Sequence, residues 1–350
     1  MKFSNLICLG IESTAHTFGA GVSELEDGRD FRIISDEKDV YKAPEGSGIH
    51  PREAARHHVE VCSEVISRAL ENAKTRPNEL DFVAYSAGPG LGPCLRVGAV
   101  AARSLATYFG RELVAVNHAV GHIELGKFLA RLENPLVLLI SGGHTAIVAN
   151  SYDSWRIYGE TLDLTLGQLL DQMGRYFGLS SPAGAKIEAL ASRFNYEDES
   201  IPILPYSIKG NDVSYSGLLS AAKEAFVNGK SKESVSFSVQ ETAFALLTEA
   251  TERALSFTDK SELLVTGGVA ANQRLSEMLN AMCESRGVRL GVIPRQFAGD
   301  CGTQIAAAGF LFRDKGYVVN AKDAFVRQSW RIDLVDLEVK RPREKGLIAN

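Results

Sequence analysis

The run LVLLI-SGGHT-AIVAN at residues 136–150 decides how this chain is read. Two apolar stretches of strand length flank Ser141, Gly142, Gly143, His144 and Thr145. Small and hydroxylic residues between two such runs predict a β-hairpin whose turn leaves backbone N–H groups free. Residues 6–24 follow the same order: an apolar strand, the small polar turn Glu12-Ser13-Thr14, and a second strand around Gly19 to Ser23.

Outward from the two hairpins the order of elements continues to match. Each half carries a helix with an apolar period near 3.6, at residues 52–73 and 234–257. A short strand follows each helix, DFVAYS (81–86) or ELLVTG (262–267), and each strand runs into a glycine-rich turn that opens another helix. The turns are Gly88-Pro89-Gly90-Leu91-Gly92 before helix 93–109, and Gly267-Gly268-Val269-Ala270-Ala271-Asn272 before helix 272–286. Glycines after a strand by themselves only permit a tight turn. Four such turns at matched positions predict a phosphate-binding cleft, because they present backbone amides and helix N-termini to an anion. The reading is therefore an α/β chain with a duplicated, two-lobe, actin-like (ASKHA) fold and an inter-lobe nucleotide cleft, inferred from the element order shared with sugar kinases and Hsp70 ATPase domains. Expected boundaries are a first lobe at 1–134 and a second at 135–338 with an insertion at 159–233. The insertion holds helix-like stretches at 166–179 and 182–194. A helix at 303–315 and a strand-like run WRIDLVDLEV (330–339) come next, and a charged tail or linker at 339–350 ends in KRPREKGLIAN.

Composition narrows the function classes. The 350 residues suffice for two cores. The 38 basic and 43 acidic side chains give a net charge of −5, which argues against a general nucleic-acid binder. The expectation is weak binding of nucleic acid by the chain alone. Cys8, Cys62, Cys94, Cys283 and Cys301 are scattered, with no C-x-x-C pair, so neither a disulfide framework nor a cysteine zinc site is readable. The short apolar run Leu6 to Ile11 is interrupted by Gly10 and ended by Glu12. It fits no signal peptide, and no stretch has the length of a membrane span. The expectation is a soluble cytoplasmic protein.

His118 and His122 stand at i, i+4 in NHAVGHIELG. On a helix that spacing puts both imidazoles on one face, close enough to share a metal ion. Two polar residues meeting solvent would look the same. A zinc endopeptidase would carry a glutamate directly after the first histidine; Ala119 stands there. Asp300, in the polar break FAGDCGTQ, is a candidate third ligand or a helix N-cap. His16, His50, His57, His58 and His144 are less specific. Asp171, in a leucine-rich helical stretch, is either a ribose contact or an exposed charge. No G-x-S-x-G elbow and no Walker A motif occurs.

Six strings carry a resemblance: GPGLGPCLRVG (88–98), NHAVGHIELG (117–126), SGGHT (141–145), LLDQMGRYFGL with PAGAKIE (169–188), PYSIKGNDVSYSGLL (205–219) and GGVAANQRL (267–275). From about residue 5 to 338 the chain resembles the universal tRNA N6-adenosine threonylcarbamoyltransferase family. GPGLGPCLR has the wording of the archaeal and eukaryotic branch that works inside the KEOPS complex, whereas SGGHT is nearer the bacterial wording. The resemblance implies an actin-like fold and one divalent metal ion, iron or zinc with magnesium as a further option, held by His118, His122 and Asp300. It implies nucleotide or threonylcarbamoyl-adenylate contacts from Leu139, Ile140, Ser141, Gly142 and Gly143, and from Asp171, Gly184, Glu188 and Asn272. Archaeal members place a tyrosine ligand where this chain has Leu139, so water or substrate is expected there, and PAGA replaces the family's PGGP at 182–185. The implied reaction transfers threonylcarbamoyl from threonylcarbamoyl-adenylate to N6 of the adenosine beside the anticodon, in tRNAs reading codons that begin with A, releasing AMP. The implied partners are tRNA and KEOPS-type subunits, including a small protein kinase that some archaeal members carry fused at the C-terminus; no membrane is implied.

Two other classes fit parts of the pattern. An actin-like ATPase or small-molecule kinase needs an acidic residue near the γ-phosphate, and Glu12 is placed to serve. A non-enzymatic nucleotide-binding scaffold needs neither Glu12 nor the histidines.

Overall fold

A computed structural model describes residues 5–44, 48–151, 154–195, 197 and 200–337; the charged run KRPREKGLIAN lies outside them. The first half runs β1 (Leu6–Glu12), β2 (Thr17–Glu26), β3 (Asp30–Val40), α1 (Pro51–Ala73), β4 (Phe82–Gly88), α2 (Gly92–Phe109), β5 (Glu112–Asn117) and α3 (His118–Ala130). The second half opens with β6 (Leu136–Ile140), β7 (Thr145–Ser151) and β8 (Ser154–Glu160). Its insertion carries α4 (Leu166–Tyr176), α5 (Gly184–Ala191), the small hairpin β9 (Ile208–Lys209) and β10 (Asp212–Val213), and α6 (Ser216–Val227). It closes with α7 (Lys232–Thr258), β11 (Glu262–Thr266), α8 (Gln273–Arg286), β12 (Arg289–Val292), α9 (Arg295–Ala298), α10 (Gly302–Asp314) and β13 (Val318–Val319).

The duplication expected from the hairpins is complete at the level of the sheets. One is ordered β5-β4-β1-β2-β3 and the other β12-β11-β6-β7-β8, with β13 added at the outer edge of the first. In each the hairpin strands pair antiparallel, and the two strands on the other side pair parallel. Central strands such as β6 are buried on both faces, which is why LVLLI is continuously apolar rather than alternating. By contrast β3, DFRIISDEKDV, has one half-exposed face at the sheet edge. Its charges hid it from a pattern reading.

The last helix of each half crosses to the other half's sheet. α3 packs on β11, β12 and β6, while α10 lies across β1 and β2 and against α3. The approach of α10 is closer than side chains allow: a Cβ on Gly10 would sit 2.3 Å from Ala306 N and Gly302 O. Hence α10 packs mainly on the first sheet, with Ile305, Ala306, Ala308, Phe310 and Phe312 in the first core and Ala307 in the second. β13 pairs with β5, and Trp330, Ile332, Val335 and Leu337 join the first core. The run WRIDLVDLEV is not a strand in the described residues but a 3-10 turn at Ile332–Leu334 with one bridge at Asp336. Its buried positions, 330, 332, 335 and 337, break alternation at 333–334. The insertion, 161–231 between β8 and α7, packs α5 and α6 on α7. Among the described residues no helix is long and apolar enough to cross a membrane.

Candidate functional site

β5 ends at Asn117, whose side-chain oxygen accepts from Ala119 N (3.0 Å) and Val120 N (3.2 Å) and so starts α3. The cap fixes His118 as the first helical residue and His122 one turn on, both buried, with ring centroids 4.7 Å apart. Asp300 comes from the other end of the chain, in the break between α9 and α10. Its Oδ1 lies 3.2 Å from His122 Nε2 and 3.6 Å from His118 Nε2. The three ligand atoms lie within 4.8 Å of one another. His122 is fully buried; its Nδ1 makes no hydrogen bond, and its Nε2 faces only the Asp300 carboxylate. An imidazole left that way is costly unless a ligand satisfies it. A set of two histidines and one carboxylate suits zinc or iron, so these residues fit a divalent ion.

The surroundings tune the three groups. Glu12, fully buried at the end of β1, sets one oxygen 2.9 Å from His118 Nδ1 and accepts from Thr14 N with the other at 2.5 Å. A carboxylate only accepts there, so Nδ1 carries the hydrogen and Nε2 is turned toward Asp300. Burial disfavours charge on His118, but the carboxylates of Glu12 and Asp300 outweigh it and raise the ring to about 9. Burial likewise opposes charge on Asp300, and the two histidines nevertheless hold it well below the ordinary carboxylate range. His122, dominated by burial, shifts down. Asp300 is not the N-cap of α10. Cys301 holds that position without a side-chain cap, and Asp36 on β3 accepts instead from Thr303 N and Thr303 Oγ1, both at 3.0 Å.

The nucleotide residues expected from the sequence form a wall in the second half. The turn 141–144 is pinned by Ser141 Oγ, which accepts from Gly143 N (3.2 Å) and His144 N (3.1 Å), and a Cβ on Gly142 or Gly143 would meet open space. Gly267 has φ 99°, and a Cβ there would strike Ile140 O at 2.4 Å, so the turn 267–272 abuts the end of β6. Asn272 caps α8 through Leu275 N (3.2 Å) and donates to Gln240 Oε1 (2.7 Å). Glu188 on α5 accepts from Gln273 N at 2.7 Å. Asp171 on α4 accepts from Ser181 Oγ and Ala183 N, both at 2.6 Å, and thereby sets the turn that begins α5 at Gly184. Leu139 is buried in β6 and offers no donor atom.

The first-half turn departs from expectation. Gly90 N donates to Gln328 O and Leu91 N to Thr14 O, so these two amides of the turn are occupied by other segments of the chain rather than held open for a phosphate. His57 pairs with Asp39 at 3.0 Å, and His58 is fully buried against Phe18. His144, by contrast, reaches the His118–His122–Asp300 cluster: its ring stacks on His118 with centroids 6.3 Å apart and planes at 27°. Burial, reinforced by the neighbouring histidines, pushes it down to about 3. One signal in the sequence marks it: the order Ser-x-x-His-Thr occurs at 13–17 and again at 141–145.

A family model for TsaD, tRNA N6-adenosine threonylcarbamoyltransferase, matches residues 32–307. The tRNA N6-adenosine threonylcarbamoyltransferase of Methanopyrus kandleri is 46% identical over 338 residues, covering 94% of this chain and 95% of the relative. A Methanocaldococcus jannaschii protein described as a probable bifunctional tRNA threonylcarbamoyladenosine biosynthesis protein is 42% identical over 344 residues, 97% of this chain and 62% of that longer one. Among solved structures, HypF of T. kodakarensis superposes with a TM-score of 0.61 at 15% identity over 91% of this chain and 49% of its own; this likeness bears on the fold, which is actin-like. A family match that takes in the whole second sheet and all three members of the His–His–Asp cluster, with a relative 46% identical over 94% of the chain, identifies the chain as a member of the tRNA N6-adenosine threonylcarbamoyltransferase family, enzymes of threonylcarbamoyladenosine synthesis in tRNA.

Proposed function

We propose that the chain binds threonylcarbamoyl-adenylate along the wall from Asn272 and Glu188 to Ser141–Gly143, with its acyl end at His118, His122 and Asp300. The acceptor is N6 of the adenosine beside the anticodon, in tRNAs reading codons that begin with A, and AMP leaves. The observation that carries this reading is one of chain continuity. His144 follows Gly143 of the 141–144 turn directly and stacks on His118, which would make a bound adenylate and a bound ion neighbours.

The exocyclic amine is a weak nucleophile, so the acyl carbon must be held in line and its developing negative charge met. A bound iron or zinc ion would supply Lewis acidity at the acyl oxygen. His118, His122 and Asp300 would hold it, with Glu12 keeping His118 in the tautomer whose Nε2 is free to ligate. The exposed glycines of the 141–143 and 267–272 turns would face the phosphate, and Gly184, Glu188 and Asn272 the nucleoside. A kinase would need Glu12 free near a γ-phosphate; both its oxygens are engaged, with Thr14 N and His118.

The partners we propose are tRNA and KEOPS-type subunits in the cytoplasm, including a small protein kinase. The bifunctional relative, of which this chain spans 62%, supports an associated second activity. The test is transfer of labelled threonylcarbamoyl from its adenylate to unmodified tRNA, with candidate subunits added one at a time. Label on the adenosine beside the anticodon with equimolar AMP is the expected result. Phosphorylation of a small metabolite in place of transfer would overturn the reading.

A further inference from the structure

Two histidines stand at the same place in the repeated Ser-x-x-His-Thr order, His16 in the turn after β1 and His144 in the turn after β6. The hairpins are related by the duplication of the sheets, although the first turn is two residues longer: Glu12 pairs with Gly19, whereas Ile140 pairs with Thr145. Both turns face the His118–His122–Asp300 cluster. In the first, Thr14 Oγ1 lies 3.3 Å from His118 Nδ1; in the second, the His144 ring stacks on His118. His16 lies within electrostatic reach of Asp300.

The two rings share a second property. The Nδ1 atoms of His16 and His144 are both buried, and neither has a hydrogen-bond partner. Unpaired buried ring nitrogens cost free energy in the absence of ligand and are returned when one is bound. Their placement on the two walls beside one metal cluster suits a ligand with polar oxygens on both sides of a single reacting bond. A mixed anhydride has that pattern, with phosphoryl oxygens on one side of the bridging oxygen and an acyl oxygen on the other.

We propose that His16 and His144 are a pair of substrate-binding residues that grip the two ends of the acyl–phosphate bond, His144 the phosphoryl oxygens and His16 the acyl group. The assignment of ends follows from the chain: His144 adjoins the exposed glycine turn at Gly142 and Gly143, where a Cβ would meet open space, and His16 belongs to the lobe of Glu12. This inference rests on the adenylate reading above, and the test separates the two.

The full chain, loaded with zinc, is titrated with three probes: adenosine, AMP, and a non-hydrolysable sulfamoyl analogue of threonylcarbamoyl-adenylate. The variants are H16L and H144L, with zinc content measured in each. H16L is expected to weaken the analogue about tenfold and leave AMP unchanged. H144L is expected to weaken AMP and the analogue about tenfold alike. Adenosine affinity and zinc content stay at the wild-type level in both. H16L with undiminished analogue binding, or H144L with undiminished AMP binding, overturns the pairing. So does loss of zinc from H144L, which would make His144 a metal ligand, and so does a parallel fall for adenosine, which would make either role structural. A wild type that binds the analogue no more tightly than AMP overturns the adenylate reading itself, and the pairing with it.

Discussion

Glu12 and His118 are 106 residues apart in the chain and 2.9 Å apart in space, carboxylate Oε2 to ring Nδ1. The contact joins the end of a strand in one hairpin to the first residue of the helix that leaves for the other sheet. It places a buried negative charge behind the ring that would face the ion, the arrangement by which a second carboxylate fixes a ligand's tautomer and raises its basicity.

Glu12→Gln keeps an acceptor at that position and removes the charge. Zinc affinity, read by competition with a chromophoric chelator, should fall between about tenfold and a hundredfold. Adenosine binding should not change. Unchanged zinc affinity would mean that Glu12 does not orient His118.

Asp36 holds the start of α10 from a strand of the first sheet, accepting from both Thr303 N and Thr303 Oγ1. Asp36→Ala should cost about 1–2 kcal/mol of unfolding free energy, the worth of a lost cap with a buried donor left unpaired. Because Asp300 lies three residues before Thr303, zinc affinity should fall as well. Asp36→Asn, whose amide oxygen can still accept, should lose less of both. Denaturant unfolding and zinc competition on the two variants check this, and equal losses from both would mean that the acceptor is not what matters.

His58 is fully buried, and burial, helped by the neighbouring His57, lowers it from 6.5 to about 4. The folded state therefore resists a proton that the unfolded chain accepts. Stability is undiminished above pH 6.5 and falls as pH drops toward 4, below which both states carry the proton. At pH 5 the loss is about 2 kcal/mol. His58→Leu should flatten this part of the profile, leaving a smaller fall between pH 7 and pH 5 in denaturant unfolding. Identical profiles for the two proteins would show that His58 titrates normally in the fold.

What was legible from the residues is what repeats locally. The i, i+4 spacing of His118 and His122, the glycines of 141–143 and 267–272, and the helix periods all depend on neighbours within one or two turns. The hairpin order of 6–24 and 136–150 then extended them to a duplicated fold. What was illegible depends on how the chain returns. Nothing near Gly90 signals that Gln328 and Thr14 will fill its turn. Nothing near Asp36 signals that it will cap a helix 267 residues later. The exchange of α3 and α10 between sheets is likewise a property of topology, and it puts α10 mainly on the first sheet. His144 lies between these cases. Its repeat with His16 is visible in the sequence, while its approach to His118 is not.

The cluster's own test is His118→Ala. His118 and His122 reach one point from a single helix face, and Asp300 reaches it from the segment before α10, all within 4.8 Å. Removing one of three ligands leaves a two-ligand site, which holds a divalent ion poorly. Zinc or iron per folded molecule and transfer of threonylcarbamoyl should fall together. The residues proposed to hold the nucleotide make no hydrogen bond to His118 among the described residues: Ser141 Oγ, Asn272, Glu188 and Asp171 are each bonded within the second half. Adenosine should therefore bind the variant as it binds wild type. A purely structural role for His118 predicts a different outcome. Its loss would open a cavity beside Glu12, Thr14 and Gln304 and lower the melting temperature, with metal per folded molecule unchanged. Elemental analysis and adenosine titration on both proteins, purified without chelator, separate the two. Equal metal content would place the ion elsewhere than at His118.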